Sequence, residues 1–224
     1  MRNYYKGLKG NDTHNPNFGI KHFIELPMIG AIVGFTGSGK SNTLMNLIDA
    51  MKGSFQKIVF CTMSFDCDPL YVKLRDRLQK LAEKHKLDED AYIQVFDNGE
   101  VPEVDDLEEI PTLVIFDDLQ GETKSNQQVS KFYKYGRKKG FSCMYLGQSY
   151  TDIPIFIRKQ LKYLFIKRIN QIDDLKRILS KYGLDRYKGR LEEIYHYCTD
   201  DFTHCMLLDL LRGHIYRDFI EVIP

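Results

Sequence analysis

Residues 28–51 read MIGAIVGFTGSGKSNTLMNLIDAM, and this stretch decides the fold. Its first eight residues (MIGAIVGF, 28–35) are an apolar run of the length expected for a buried strand. Gly34-Phe35-Thr36-Gly37-Ser38-Gly39-Lys40-Ser41 then fits G-x-x-x-x-G-K-[ST]. Beyond it, Leu44, Leu47, Ile48 and Met51 recur at helical spacing. Strand, glycine-rich turn and helix in that order form an anion cradle. The glycines let the backbone wrap closely, and its N–H groups with the helix N-terminus point at phosphate oxygens. In that cradle Gly34 to Asn42 contact the phosphates, Lys40 reaches the β- and γ-phosphates, and the Ser41 hydroxyl holds Mg²⁺.

The rest of the chain alternates in the same way. Residues 57–63 (KIVFCTM) read as a second buried strand, and 69–86 as an amphipathic helix with Leu70, Leu74, Leu78 and Leu81 on one stripe. A short strand at 91–96 precedes an acidic loop over 97–110. Residues 112–116 (TLVIF) are the most strand-like run, and they end in Asp117-Asp118. A polar helix near 125–139 leads to a fourth main strand, 142–146, closed by Gly147-Gln148. Helices at 153–160, 173–181 and 186–198 and strands at 163–169 and 204–210 complete the reading. Apolar strands alternating with helices predict one α/β domain with a mostly parallel sheet covered on both faces. Residues 1–27 read as an irregular arm before a domain at 28–224.

A cradle for a metal-bound triphosphate needs a second acidic group at a neighbouring strand end, and Asp117 has that position. Asp118 beside it is placed to act as base on a water. Gln148, at the end of the next strand, can donate to a γ-phosphate and accept from the attacking water. The expected cofactors are ATP and Mg²⁺.

Composition narrows the partners. The 224 residues are 43% hydrophobic and 28% charged, which excludes wholesale disorder. No apolar run approaches a membrane span, and the opening MRNYYKGLKG lacks a signal-peptide core. Five cysteines without a CxxC pair suit free thiols in a reducing compartment. The net charge of +1 hides a strong segregation: +5 over 1–80, −11 over 81–120, +12 over 121–190 and −5 over 191–224. The +12 span is a candidate face for double-stranded DNA, unless it meets the acidic segment in space. Its densest part carries Lys131, Lys134, Arg137, Lys138 and Lys139, interleaved with Phe132, Tyr133 and Tyr135.

The order Gly34–Ser41, Asp117-Asp118, Gly136-Arg137, Gln148 resembles the FtsK/HerA superfamily of P-loop NTPases (ASCE type). Within it, residues 28–170 look most like the genome-packaging ATPases of poxviruses, other large DNA viruses and virophages. That resemblance implies a sheet ordered 5-1-4-3-2 and a homo-oligomeric ring that threads double-stranded DNA into a capsid. It also implies work in the host cytoplasm, in viral factories and the assembling virion. A ring of this kind completes each site with a neighbour's arginine; Arg137, Arg158 and Arg168 are the candidates, with Arg137 favoured.

Three other readings compete. Asp118-Leu119-Gln120-Gly121 and Asn170-Gln171-Ile172-Asp173 mimic the D-x-x-G and N-K-x-D of a GTPase, although Gln171 stands where lysine belongs. A P-loop kinase would use 171–190 as a lid. A non-hydrolysing, nucleotide-bound assembly subunit would keep Lys40 and Asp117 yet tolerate loss of Asp118 and Gln148.

Overall fold

The computed structural model describes residues 14–119, 123–169, 172–182, 184–187 and 189–224. Its strands are β1 (Ile29–Val33), β2 (Lys57–Thr62), β3 (Ile93–Phe96), β4 (Thr112–Asp117), β5 (Phe141–Gly147), β6 (Tyr163–Ile166), β7 (Met206–Asp209), β8 (His214–Arg217) and β9 (Glu221–Val222). The helices are α1 (Lys40–Ala50), α2 (Pro69–His85), α3 (Thr123–Tyr135), α4 (Ile155–Arg158), α5 (Ile172–Lys181) and α6 (Leu191–Cys198). All nine strands join one sheet, ordered β3-β2-β4-β5-β1-β6-β7-β8-β9. The first six in that order are parallel, and β7 to β9 continue the sheet antiparallel.

This order differs from the expected 5-1-4-3-2 at both edges. Counting β1, β2, β4, β5 and β6 as the five main strands reproduces that sequence in the interior. The short β3 lies outside β2, and the hairpin strands β8 and β9 were not legible in HIYR and EV. Four- and two-residue strands with mixed charge carry too little periodicity to stand out.

The continuous apolar runs are explained by burial on both faces. Successive side chains of a strand point to opposite sides. Ile29, Ala31 and Val33 of β1, Val114 and Phe116 of β4, and Leu164 and Ile166 of β6 enter one core with α3, α4, α5 and α6. Ile32, Leu113, Ile115 and Phe165 enter the other, against α1 and α2. The α2 stripe is rotated from the expected one. Tyr71, Leu74 and Ala82 are buried, whereas Leu81 is exposed, because the helix turns an aromatic flank toward Phe60 and Phe65.

Several helices are shorter than the periodicity predicts. The segment at 153–160 is helical only over Ile155–Arg158, and 186–198 only over Leu191–Cys198. Residues 136–139 form a separate 3-10 turn after α3, where Gly136 lets the chain pass close against Phe141. Of the 1–27 arm, residues 14–27 are described: they lack helix, yet Ile24 is fully buried and Phe23 N–H donates to the Phe219 carbonyl. Asn15 and Asn17 amides donate to the carbonyls of Ile24, Ala50 and Lys52, tying the segment to the end of α1.

Candidate functional site

Because the central strands are parallel, their C-terminal ends share one edge, where a doubly covered sheet binds ligands. The loop 34–39 rises from β1 at this edge and feeds α1. Two of its glycines have separate reasons. At Gly34 a Cβ would stand 2.5 Å from Lys167 Cβ and from Ser38 Oγ, so the loop can lie against β6 only without a side chain. Gly39 has φ +87°, and a Cβ there would meet the Phe202 carbonyl at 2.5 Å. Gly39 is also the N-cap of α1, with no side-chain cap, and the first turn has no acidic residue. The helix N-terminus therefore keeps its N–H groups free of side-chain competitors for an anion.

A cleft of about 530 Å³ opens over this loop. Thr36, Gly37, Gly39, Lys40, Ser41 and Asn42 line one side, Asp117, Asp118, Gly147 and Gln148 the other. These are nine of the residues expected from the sequence plus Gly147, drawn from the loop after β1, the start of α1 and the ends of β4 and β5. Gly34, Phe35 and Ser38 are not on its wall: Gly34 and Ser38 form the buried floor of the loop. Phe35 turns to a separate pocket of about 390 Å³ with Arg168, Ile169, Tyr195 and His196.

The polar groups are tightly organised. Lys40 Nζ donates to the Gly34 carbonyl at 2.8 Å and to that of Phe35 at 3.4 Å. Burial holds the Lys40 ammonium below its ordinary pKa, opposed by the carboxylates of Asp117, Asp118 and Asp152. Asp117, half-buried at the end of β4, is pushed up to about 6 by burial, against the Tyr71 hydrogen bond and Lys40. Asp118 is exposed and sits at φ 54°, a left-handed conformation that Asp tolerates better than most residues. That turn takes it off the β4 line beside Asp117. Gln148 is exposed at the end of β5, with the following loop clamped by Asp152, which accepts from Ser149 N–H at 2.7 Å.

Four contributors escaped the sequence reading. Asp68 caps α2, accepting from Leu70 N–H at 2.9 Å, and it lines the cleft with Pro69 and Leu70. Its Asp-Pro signal marks a helix start, and nothing in it says where that helix points. Tyr71 reaches Asp117 from the next position. Phe202 closes the cleft at the Gly39 end. Lys167, fully buried, donates to the carbonyls of Phe202 at 2.6 Å and His204 at 2.5 Å.

The arginine candidates separate clearly. Arg137 lies before β5, at the opposite edge of the sheet from the cleft of its own chain, about 20 Å away along seven strand residues. Its neighbourhood is basic, with Lys162 close enough to feel it. Arg158 stacks on Tyr150, Cζ 5.2 Å from the ring centre. Arg168 is tied to the carbonyls of Thr199 and Asp200.

The +12 span is only partly free. Lys131 pairs with Glu103 at 2.7 Å, and Lys139 with Asp105 and Glu109 at 3.0 and 2.9 Å, so the acidic loop does meet it. Phe132 and Tyr133 are core residues rather than surface aromatics. Lys134, Tyr135, Arg137 and Lys138 remain exposed. Of the GTPase-like motifs, Gln120, Gly121, Asn170 and Gln171 lie outside the described residues. Among the described residues, no helix is long and apolar enough to cross a membrane, and no cluster of three His, Cys, Asp or Glu side chains is placed to hold a metal.

A parallel sheet with this loop at its C-terminal edge, an Asp-Asp strand end beside it and helices on both faces defines a P-loop NTPase. Residues 16–203 match the family model described as Poxvirus A32 protein, and the chain belongs to that family. The fold is similar to that of the DNA-packaging ATPase B204 from Sulfolobus turreted icosahedral virus, at TM-score 0.59 and 16% identity, covering 87% of this chain and 98% of that one. The genome-packaging NTPase B204 from Sulfolobus turreted icosahedral virus 2, in complex with AMP, is similar at TM-score 0.56 and 14% identity over 88% and 99%. The cytoplasmic domain of the Thermomonospora curvata type VII secretion ATPase EccC gives 0.50 and 13%, over 87% of this chain and 25% of that one. No curated protein sequence matches the chain significantly.

Proposed function

We infer that this chain is an ATP-hydrolysing motor that drives viral double-stranded DNA into a capsid. The observation that carries the reading is the convergence of Lys40, Ser41, Asp117, Asp118 and Gln148 on one cleft. In this reading Lys40 exchanges the carbonyls of Gly34 and Phe35 for the β- and γ-phosphate oxygens. The Ser41 hydroxyl and the Asp117 carboxylate would hold Mg²⁺. That donor set fits magnesium, which takes one or two protein oxygens and fills its other positions with phosphate oxygens and water. Held there, Mg²⁺ would supply charge neutralisation at the phosphates. Asp118 accepts the proton of the attacking water, and Gln148 orients that water.

Residues 28–224 are the motor domain and 1–27 its arm. The subunits assemble as a ring, in the virion-forming compartment of the infected cell. Arg137 faces away from its own cleft, so it serves a neighbour's cleft in trans. Lys134 and Lys138 contact DNA phosphates, without base reading.

The test is steady-state ATP hydrolysis, with GTP as control, with and without linear double-stranded DNA at two salt concentrations. DNA-stimulated, salt-sensitive turnover that is lost in Lys40→Ala supports the motor. Guanine-selective turnover indifferent to DNA overturns it in favour of a GTPase. Nucleotide binding without turnover under all conditions, capsid included, replaces it with an assembly subunit.

A further inference from the structure

The cleft has a polarity that the phosphate chemistry leaves half used. Asp117 and Gln148 stand on the β4–β5 side of the loop, so the γ-phosphate end of a nucleotide points there. The rest of the nucleotide must then extend the other way, past Gly39 and Ser41 toward β6 and β7. Phe202 occupies that end. It is 56% exposed, in a loop whose other side chains are Asp, Thr and His. The ring's Cδ2 stands 3.5 Å from the position of a Cβ on Gly39, so the ring lies against the loop itself.

The backbone under the ring is fixed by Lys167. This buried ammonium donates to the carbonyls on both sides of Thr203, and its Cε lies 3.6 Å from the Gly39 Cβ position. A buried ammonium is costly unless it is hydrogen-bonded, and here its bonds to those two carbonyls anchor a loop to the phosphate cradle. The polar side chains around the ring are already committed. Asp201 accepts from the Thr203 N–H and hydroxyl at 2.8 Å each, Asp200 from Arg217 at 2.9 and 3.0 Å, and His204 pairs with Asp218 at 2.8 Å.

We propose that Phe202, pinned by Lys167, is the stacking platform for the base of the bound nucleotide, and that it reads the face of that base rather than its edge. This rests on the nucleotide-site reading above. Adenine and guanine nucleotides then bind with similar affinity, within about threefold, since stacking tolerates any base.

The chain has no tryptophan, so F202W introduces a single fluorescent reporter at the platform. ADP and GDP quench it, and inorganic tripolyphosphate, which has no base, does not. By calorimetry, Phe202→Ala weakens ADP about tenfold or more and leaves tripolyphosphate affinity unchanged. If ADP affinity in Phe202→Ala stays within twofold of the native protein while Lys40→Ala abolishes it, the platform is wrong and the phosphate site stands. If tripolyphosphate weakens as much as ADP, the ring only supports the loop and the proposal falls. If the native protein binds neither ligand, both readings fall together.

Discussion

The Tyr71 hydroxyl, buried on α2, donates to Asp117 Oδ2 at 2.7 Å. A tyrosine 46 positions upstream thus holds the carboxylate at the end of β4, with Ser41 and Asp68 also beside that phenol. Burial and the neighbouring carboxylates hold the phenol well above its ordinary pKa, so it remains a donor. Tyr71 is a positioning residue: it fixes which Asp117 oxygen faces the cleft.

Tyr71→Phe keeps the ring packed on Phe60 and Phe65 and removes the donor alone. The Mg²⁺ concentration for half-maximal ATP hydrolysis rises about tenfold, as is common when a supporting hydrogen bond to a metal ligand is lost. A purely structural tyrosine would lower the melting temperature and leave that concentration unmoved.

Asp117 is expected to cost stability without nucleotide. Its folded pKa of about 6 lies above the ordinary carboxylate value, so the folded state holds the proton more tightly than the unfolded one. Its contribution falls as pH rises from about 4 to about 6 and stays low above that. Asp117→Asn therefore stabilises the nucleotide-free protein by about 2 kcal/mol at pH 7.5. The gain shrinks toward zero near pH 4. Chemical denaturation at four pH values between 4 and 7.5 measures it, and a gain independent of pH contradicts the assignment.

Asp118→Asn separates turnover from binding. Asn adopts the left-handed conformation at φ 54° as readily as Asp, so the fold is retained. Hydrolysis drops about 10²- to 10⁴-fold with ADP affinity unchanged, the loss typical of a missing general base. Equal loss of ADP binding would show that Asp118 builds the cleft instead.

Arg137 and the lysines beside it make distinct predictions. Arg137→Ala alone is inactive, and mixing it with Lys40→Ala restores turnover, because each intact loop then meets an intact arginine from a neighbour. No recovery on mixing removes Arg137 from the trans role. Lys134→Glu with Lys138→Glu weakens DNA binding and reduces the slope of log affinity against log salt. Lys139→Ala leaves that slope alone, because Lys139 is held by Asp105 and Glu109.

The cradle was legible because it is local: GFTGSGKS places glycines, lysine and serine within eight residues, and their geometry follows from backbone sterics. Asp117 and Gln148 were legible because parallel strands bring every strand end to one edge. The basic span was misjudged in part. Charge counted along the chain cannot show that Glu103, Asp105 and Glu109 fold over Lys131 and Lys139. Its aromatics misled for a related reason, since Phe132 and Tyr133 fall on the buried face of α3.

By itself, then, the sequence determined the phosphate loop, the two-sided parallel core and the acidic strand end, all of which depend on short-range spacing and on the period of two in a strand. Only the tertiary structure decided that Tyr71 holds Asp117, that Lys167 anchors the Phe202 loop at Gly39, and that Arg137 faces the far edge of the sheet. Those pairings join residues 35 to 46 positions apart or set a direction relative to the sheet. Both are fixed by how helices and loops pack on a twisted sheet, a property no local pattern encodes.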